Sequence, residues 1–181
     1  MSAQRTYHTP RLSLPVGRRD HIRGEPQANV TLVEYGDYQC PFCGAAHPVV
    51  KELLDVEPVL FVYRHFPLTT VHPYAEIMAE TAEAAGAQGA YWPMHDWLFG
   101  HQRSFTPDDI PVAASELGLD ANELMGDVTA HRYERKIRED FMSGVRSGVN
   151  GTPTFFINGE RHDGDWDLDS LIEAIRESSP V

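Results

Sequence analysis

The only two cysteines in 181 residues stand three positions apart, in the run Glu34-Tyr-Gly-Asp-Tyr-Gln-Cys40-Pro-Phe-Cys43. This pair constrains the fold more than any other feature, because both of its flanks are strongly patterned. Before it, Val30-Thr-Leu-Val-Glu34-Tyr35 is β-branched and apolar enough for a buried strand. After it, Ala45, Ala46, Val49, Val50, Leu53 and Leu54 recur at helical spacing, so a helix is expected to end near Asp55. Cys40 then falls at a helix N-terminus, where unpaired N–H groups and the helix dipole favour an anion. That position lowers a thiol's pKa and makes it a nucleophile. Cys43 follows one turn later, close enough to form a disulfide with it, and the chemistry that results is thiol–disulfide exchange.

A chain of this length supports one good core, with room for an insertion but hardly for two independent domains. Apolar residues make up 41% and charged ones 23%, and the formal charge of −12 argues against nucleic acid or an anionic membrane as partner. Two cysteines cannot build a disulfide framework, so a pair this close reads as redox-active or metal-binding. The polar N-terminus has no signal-peptide run, and no stretch reaches the ~18 apolar residues of a membrane helix. As written, the chain is expected in the cytoplasm; a signal or membrane segment trimmed from a longer protein would make it extracytoplasmic.

Residues 1–27 read as a polar, loosely packed arm, with room for a short strand at 12–16. Val59-Leu-Phe-Val-Tyr-Arg64 is a second strand with almost no alternation, which suits burial on both faces and parallel pairing with residues 30–35. Residues 72–149 are expected to be a helical insert. Residues 73–88 are rich in Ala and Glu, Trp92 to Phe99 suggest a short aromatic helix, Thr106-Pro107 is an N-cap signal, and Asp120 opens another helix. Ile137, Phe141 and Val145 mark the apolar stripe of a last long helix ending near Gly148. Thr154-Phe-Phe-Ile157, Asn158-Gly159 and Glu160-Arg-His162 form a hairpin signal, and Asp167 caps a final helix facing inward through Leu168, Leu171, Ile172 and Ile175.

Strand, Cys-x-x-Cys helix, strand, helical insert, then Gly151-Thr152-Pro153 before a hairpin and helix: this order resembles the DsbA-like branch of the thioredoxin superfamily over residues ~28–178. The resemblance implies an α/β, thioredoxin-like fold, a central mixed sheet flanked by helices, formed by 28–71 and 150–181 with 72–149 inserted. It implies that Cys40 attacks, Cys43 resolves, and the pair itself serves as redox centre with no bound cofactor. It also implies protein substrates that contain cysteine, together with a redox partner protein. Pro153 matches the family's cis-proline, and Pro41, Phe42, Thr152 and Pro153 are the expected substrate contacts. Glu34 matches a buried acidic residue; burial would raise its pKa and suit it to shuttle the proton of Cys43. Its alternative place is a strand edge in water. At Phe42 the family's namesake carries histidine, and a phenyl ring donates no hydrogen bond, so Cys40 is expected to be less stabilised as an anion and its disulfide less oxidising.

The sharpest alternative is metal binding by Cys40, Cys43 and His47, which share one helix face at i, i+3 and i+7, although no fourth ligand is evident. A peptide-binding, chaperone-like module is the other. Six other histidines (His65, His72, His95, His101, His131 and His162) show no ligand spacing and are expected on helices or the surface. Tyr91, Trp92, Trp97 and Phe99 are expected in the core, Arg132 to Arg138 on a solvated face, and the sequons at Asn29 and Asn150 as chance matches.

Overall fold

Two apolar, β-branched runs lie side by side at the centre of the molecule. In the computed structural model, which describes residues 10–179, they are β2 (Val30–Gly36) and β3 (Val59–His65), paired in parallel with Glu34 opposite Tyr63 and Tyr35 opposite Arg64. Between them runs α1 (Pro41–Val56). β1 (Ile22–Gly24) pairs antiparallel with β3, β4 (Thr154–Ile157) antiparallel with β2, and β5 (Glu160–His162) with β4, giving a mixed sheet in the order β1-β3-β2-β4-β5. The β4–β5 turn is the expected one: Asn158 and Gly159 both have positive φ, at 48° and 81°, the twist a two-residue hairpin needs.

Between β3 and β4 the chain is helical, as expected. It forms α2 (Ala75–Ala87), α3 (Tyr91–Gly100), a 3₁₀ turn (Pro107–Asp109), α4 (Ile110–Glu116), α5 (Ala121–Thr129) and α6 (Glu134–Arg146). The Asp120 side chain accepts from the N–H groups of Asn122 and Glu123, and that of Asp167 from Ser170 N–H at the start of α7 (Leu168–Ser178).

Alternation along the strands divides the core in two. Leu32, Phe61, Tyr63, Phe155 and Ile157 pack towards α1, α7 and the helices α2 to α5. Val33, Tyr35, Val62 and Phe156 face the other way, against Phe141 of α6 and the N-terminal segment. Tyr91 and Phe99 are buried, and Trp92 and Trp97 are half-buried against the first of these cores.

Three expectations need correction. The arm is not loose. Its first nine residues, like the last two of the chain, lie outside the described part, but residues 11–24 are tied down. Leu12 N–H donates to Gly159 O, and Arg11 makes a single bridge to Glu160 in place of a strand at 12–16. The strand is β1, too short and too charged to show a period. Second, the α6 stripe is only partly apolar: Ile137 is buried and Phe141 packs on the core as expected, but Val145 is 46% exposed, and Asp140, Ser143 and Gly144 take the other inner positions. Gly144 lies against Phe66, where a Cβ would come within 2.7 Å of the ring. Third, the basic stretch is not wholly solvated, because Lys136 turns inward to pair with Asp140 at 2.6 Å.

Candidate active site

β2 delivers the Cys-x-x-Cys turn to the carboxyl end of the sheet. Cys40 is the N-cap of α1, with Pro41 at the first helical position, where its missing N–H leaves nothing unpaired. Both cysteines are buried free thiols; exposed Pro41 and Phe42 stand between them, Phe42 at 64%. The Thr152–Pro153 peptide is cis, and the Cys40 thiol donates to Thr152 O at 3.3 Å. The Thr152 hydroxyl is buried without another partner and is free to turn its proton towards the same sulfur.

The two thiols are unlike. Hydrogen bonding by Cys43 pulls the Cys40 pKa down to about 5; burial works against this, and Thr152 and the N–H groups of Cys43 and Phe42 assist. Stabilisation thus comes from the neighbouring thiol and the helix-start amides, and the side chain at 42 points away. Position 42 contributes its backbone N–H and no side-chain donor. Burial instead pushes the Cys43 thiol well up, against the one donor of Asp37 N–H at 3.5 Å.

Glu34 lies in the central strand, 3% exposed, not at an edge in water. Burial raises its pKa to about 8, with the Cys40 charge adding to the rise, and its Oε1 has no hydrogen-bond partner among the described residues. Opposite it in β3, Tyr63 carries a second buried unpartnered oxygen, over Gly36, where a Cβ would strike the ring at 2.4 Å.

Sequence reasoning missed the residues that hold the turn. Asp37 accepts from Gln39 N–H (2.7 Å) and Leu68 N–H (2.8 Å), and pairs with His72 Nδ1 (2.8 Å). Gln102, from the loop after α3, donates to Tyr38 O (2.7 Å) and Cys40 O (2.8 Å). It floors a cleft of about 460 Å³ beside the cysteines, lined also by Gln39, Pro41, His101 and Arg103. An aspartate two residues before a free N–H is an Asx-turn signal that could have marked Asp37; nothing local marks Gln102.

His47 does not join the cysteines. Its Nε2 faces Asp96 at 3.3 Å and its ring stacks on Phe99; burial first, then Lys51 and Arg23, lower its pKa to about 4, with Asp96 opposing. Among the described residues the clusters able to offer three atoms to a metal are His47, His95 and Asp96, and His65, Glu83 and Asp140. Neither contains a cysteine. In each, a cation already sits on a carboxylate: Arg23 and Lys51 on Asp96, Lys136 on Asp140. A divalent ion would meet that charge, so both are ion-pair networks. His95, on helix α3 as expected, and His65, which departs from the expectation by lying in β3, are both buried inside them, His65 bonded to Glu83 and His95 Nδ1 to Tyr38 OH, each at 2.9 Å.

A family model described as thioredoxin matches residues 17–177. Among curated proteins, the chain is 49% identical over 158 residues to a sodium/proton antiporter, NhaA 1, of Salinispora arenicola, and 36% identical over 162 residues to NhaA of Herminiimonas arsenicoxydans. These alignments cover 87% and 88% of the chain, which spans only about a quarter (24% and 25%) of those relatives. Among solved structures, a thioredoxin-like oxidoreductase from Silicibacter pomeroyi is 29% identical, with a TM-score of 0.78 over 90% of this chain and 93% of that one. BdbD from Bacillus subtilis superposes with a TM-score of 0.80 over 94% and 96% of the two chains, at 21% identity, which speaks for the fold. A thiol-disulfide exchange protein from Wolbachia pipientis, alpha-DsbA2, gives 0.77 over 86% and 85%, at 22%.

Proposed function

The chain belongs to the thioredoxin family, in its DsbA-like branch, and from that footing we propose that it is a thiol–disulfide oxidoreductase acting on cysteine-containing proteins through Cys40 and Cys43. The observation that carries this is the placement of the two free thiols, Cys40 capping α1 beside the cis Thr152–Pro153 peptide and Cys43 buried one turn behind it, which lowers the pKa of the first to about 5 and pushes the second well up.

The Cys40 thiolate attacks a substrate disulfide. A mixed disulfide forms, the substrate S–S bond breaks, and one substrate sulfur leaves as a thiolate. With the Cys40 charge consumed, the Coulombic part of the rise at Glu34 disappears, and Glu34 ionises more readily. Glu34 then takes the proton of Cys43, whose thiolate attacks the Cys40 sulfur. The Cys40–Cys43 bond forms, the second substrate sulfur departs, and the substrate has gained two electrons. Run backwards, the same steps oxidise a dithiol. Pro41, Phe42, Thr152 and Pro153 form the face that meets the substrate. The two sulfurs carry the electrons, so the reaction requires no further cofactor, and a redox partner protein resets the pair.

For its setting two proposals compete: a separate cytoplasmic protein, and, from the relatives' names, a redox module attached to a sodium/proton antiporter. Fractionation of cells expressing the natural gene separates them. A soluble product of this chain's length supports the first, and a membrane-bound one of about fourfold length supports the second.

Turnover is tested with insulin reduction and with oxidation of a reduced, unfolded test protein. Activity in either assay, abolished by Cys40→Ser and stalled at a mixed disulfide by Cys43→Ser, is the expected result. No exchange in either assay, with both thiols intact, refutes the proposal.

A further inference from the structure

We propose that Asp37 is a positioning residue for the second half of the exchange, holding its own backbone N–H against the resolving sulfur; this rests on the oxidoreductase reading above. Every polar group of this residue is used on the redox turn. Its C=O accepts from Cys40 N–H at 3.1 Å, closing the turn that presents the attacking sulfur. Its N–H donates to Cys43 Sγ at 3.5 Å. Its carboxylate accepts from Gln39 N–H within the turn, and from Leu68 N–H and His72 Nδ1 in the loop that follows β3.

A buried carboxylate is tolerated only when its oxygens are hydrogen-bonded, and three such bonds hold this one. Residues 37–40 lie between β2 and α1 and have no ladder or helix of their own to fix them. Gln102 clamps the far side of the turn through the carbonyls of Tyr38 and Cys40, and its amide reaches neither sulfur. Phe66 N–H holds the carbonyl of the Gly36–Asp37 peptide at 2.7 Å, and Gln39 accepts from Tyr74 N–H; the Asp37 carboxylate adds the side-chain link from the loop after β3 to the residue whose N–H meets Cys43. That donor matters at one moment. In the mixed disulfide, Cys43 gives its proton to Glu34 and attacks as a thiolate inside a dry site. An N–H already directed at the sulfur then meets the forming charge. Cys40, ionised by other groups, does not depend on it.

The two halves of the reaction therefore separate the roles. Glutathione disulfide is used as the probe on the full chain. Formation of the Cys40–glutathione mixed disulfide and its resolution by Cys43 are followed by acid quench and mass spectrometry, with alkylation of Cys40 as a parallel measure of its attack. Asn at 37 is isosteric, yet its NH₂ cannot accept from both Leu68 and His72. Asp37→Asn is expected to lengthen the lifetime of the mixed disulfide about tenfold while Cys40 alkylation stays within about twofold of the parent. His72→Ala removes one of the three bonds and should lengthen the lifetime less, in the same direction.

A lifetime within about twofold of the parent in both variants overturns the proposal, as do equal losses in both halves, which mean a turn that is merely disordered. If Asp37→Asn does not fold, His72→Ala decides by the same criterion. A parent protein that forms no mixed disulfide at all refutes the exchange reading and Asp37's role with it, whereas a parent that turns over normally beside unaffected variants refutes only the role of Asp37.

Discussion

Glu34 and Arg64 are buried ionisable side chains in adjacent strands, one register step apart and on opposite faces of the same sheet. Their surroundings could hardly differ more. Arg64, 0% exposed, gives two hydrogen bonds to Asp20 (2.9 and 3.0 Å) and others to Leu14 O, Pro15 O and Tyr35 OH. Burial opposes its charge, but Asp20 and Tyr35 outweigh that and hold it more firmly protonated than usual. Glu34 faces the cysteines with one oxygen unpartnered and its ionisation moved to about 8. A satisfied buried charge fixes structure, here by fastening the N-terminal segment across the sheet. An unsatisfied one can change its state near neutral pH, which an acid–base group needs.

That contrast can be broken most forcefully on the Arg64 side. Arg64→Ala leaves Asp20 and two carbonyls without their donor, and is expected to lower the unfolding free energy by about 3–5 kcal/mol. Denaturant melts measure the loss, and the 240 nm titration of Cys40 should not move. A loss within the error of the melts would mean that the arm is held by other contacts.

Glu34→Gln should act in the opposite sense. The folded state holds the Glu34 proton up to about pH 8 and the unfolded state loses it near 4.5, so the native state binds more protons between these values. Stability from this group is therefore complete below about pH 4.5 and falls as pH rises towards 8, by roughly 1.4 kcal/mol per unit. Glutamine removes that loss. The variant should melt higher than the parent at pH 8 and show little difference at pH 4.5, while resolution of the mixed disulfide slows by about 10²-fold. Equal melting temperatures across that range would place an ordinary carboxyl at this position.

The same contrast explains what was legible in the sequence. Cys40, Cys43 and the strand carrying Glu34 lie in one short run, and local patterning was enough to join them. Asn158-Gly159 announced its turn through backbone chemistry alone. Arg64 gave no such sign, because Leu14, Pro15 and Asp20, which take most of its hydrogen bonds, lie 44 to 50 residues away in a segment without periodicity. Polar side chains at 140 and 143 occupy the inner face of α6, where a hydrophobic template expects Val145. His47 shared a helix face with the cysteines, but Asp96 and Phe99, brought in by α3, turn it aside. Local spacing found the reacting atoms, and the groups that tune and hold them come from distant elements.

One titration tests the whole account most directly: thiolate absorbance at 240 nm of the reduced protein against pH, with Cys40→Ser as the blank. A transition near pH 5 that disappears in Cys40→Ser is the predicted result. A first transition near 9, the value of an unperturbed thiol, would contradict it.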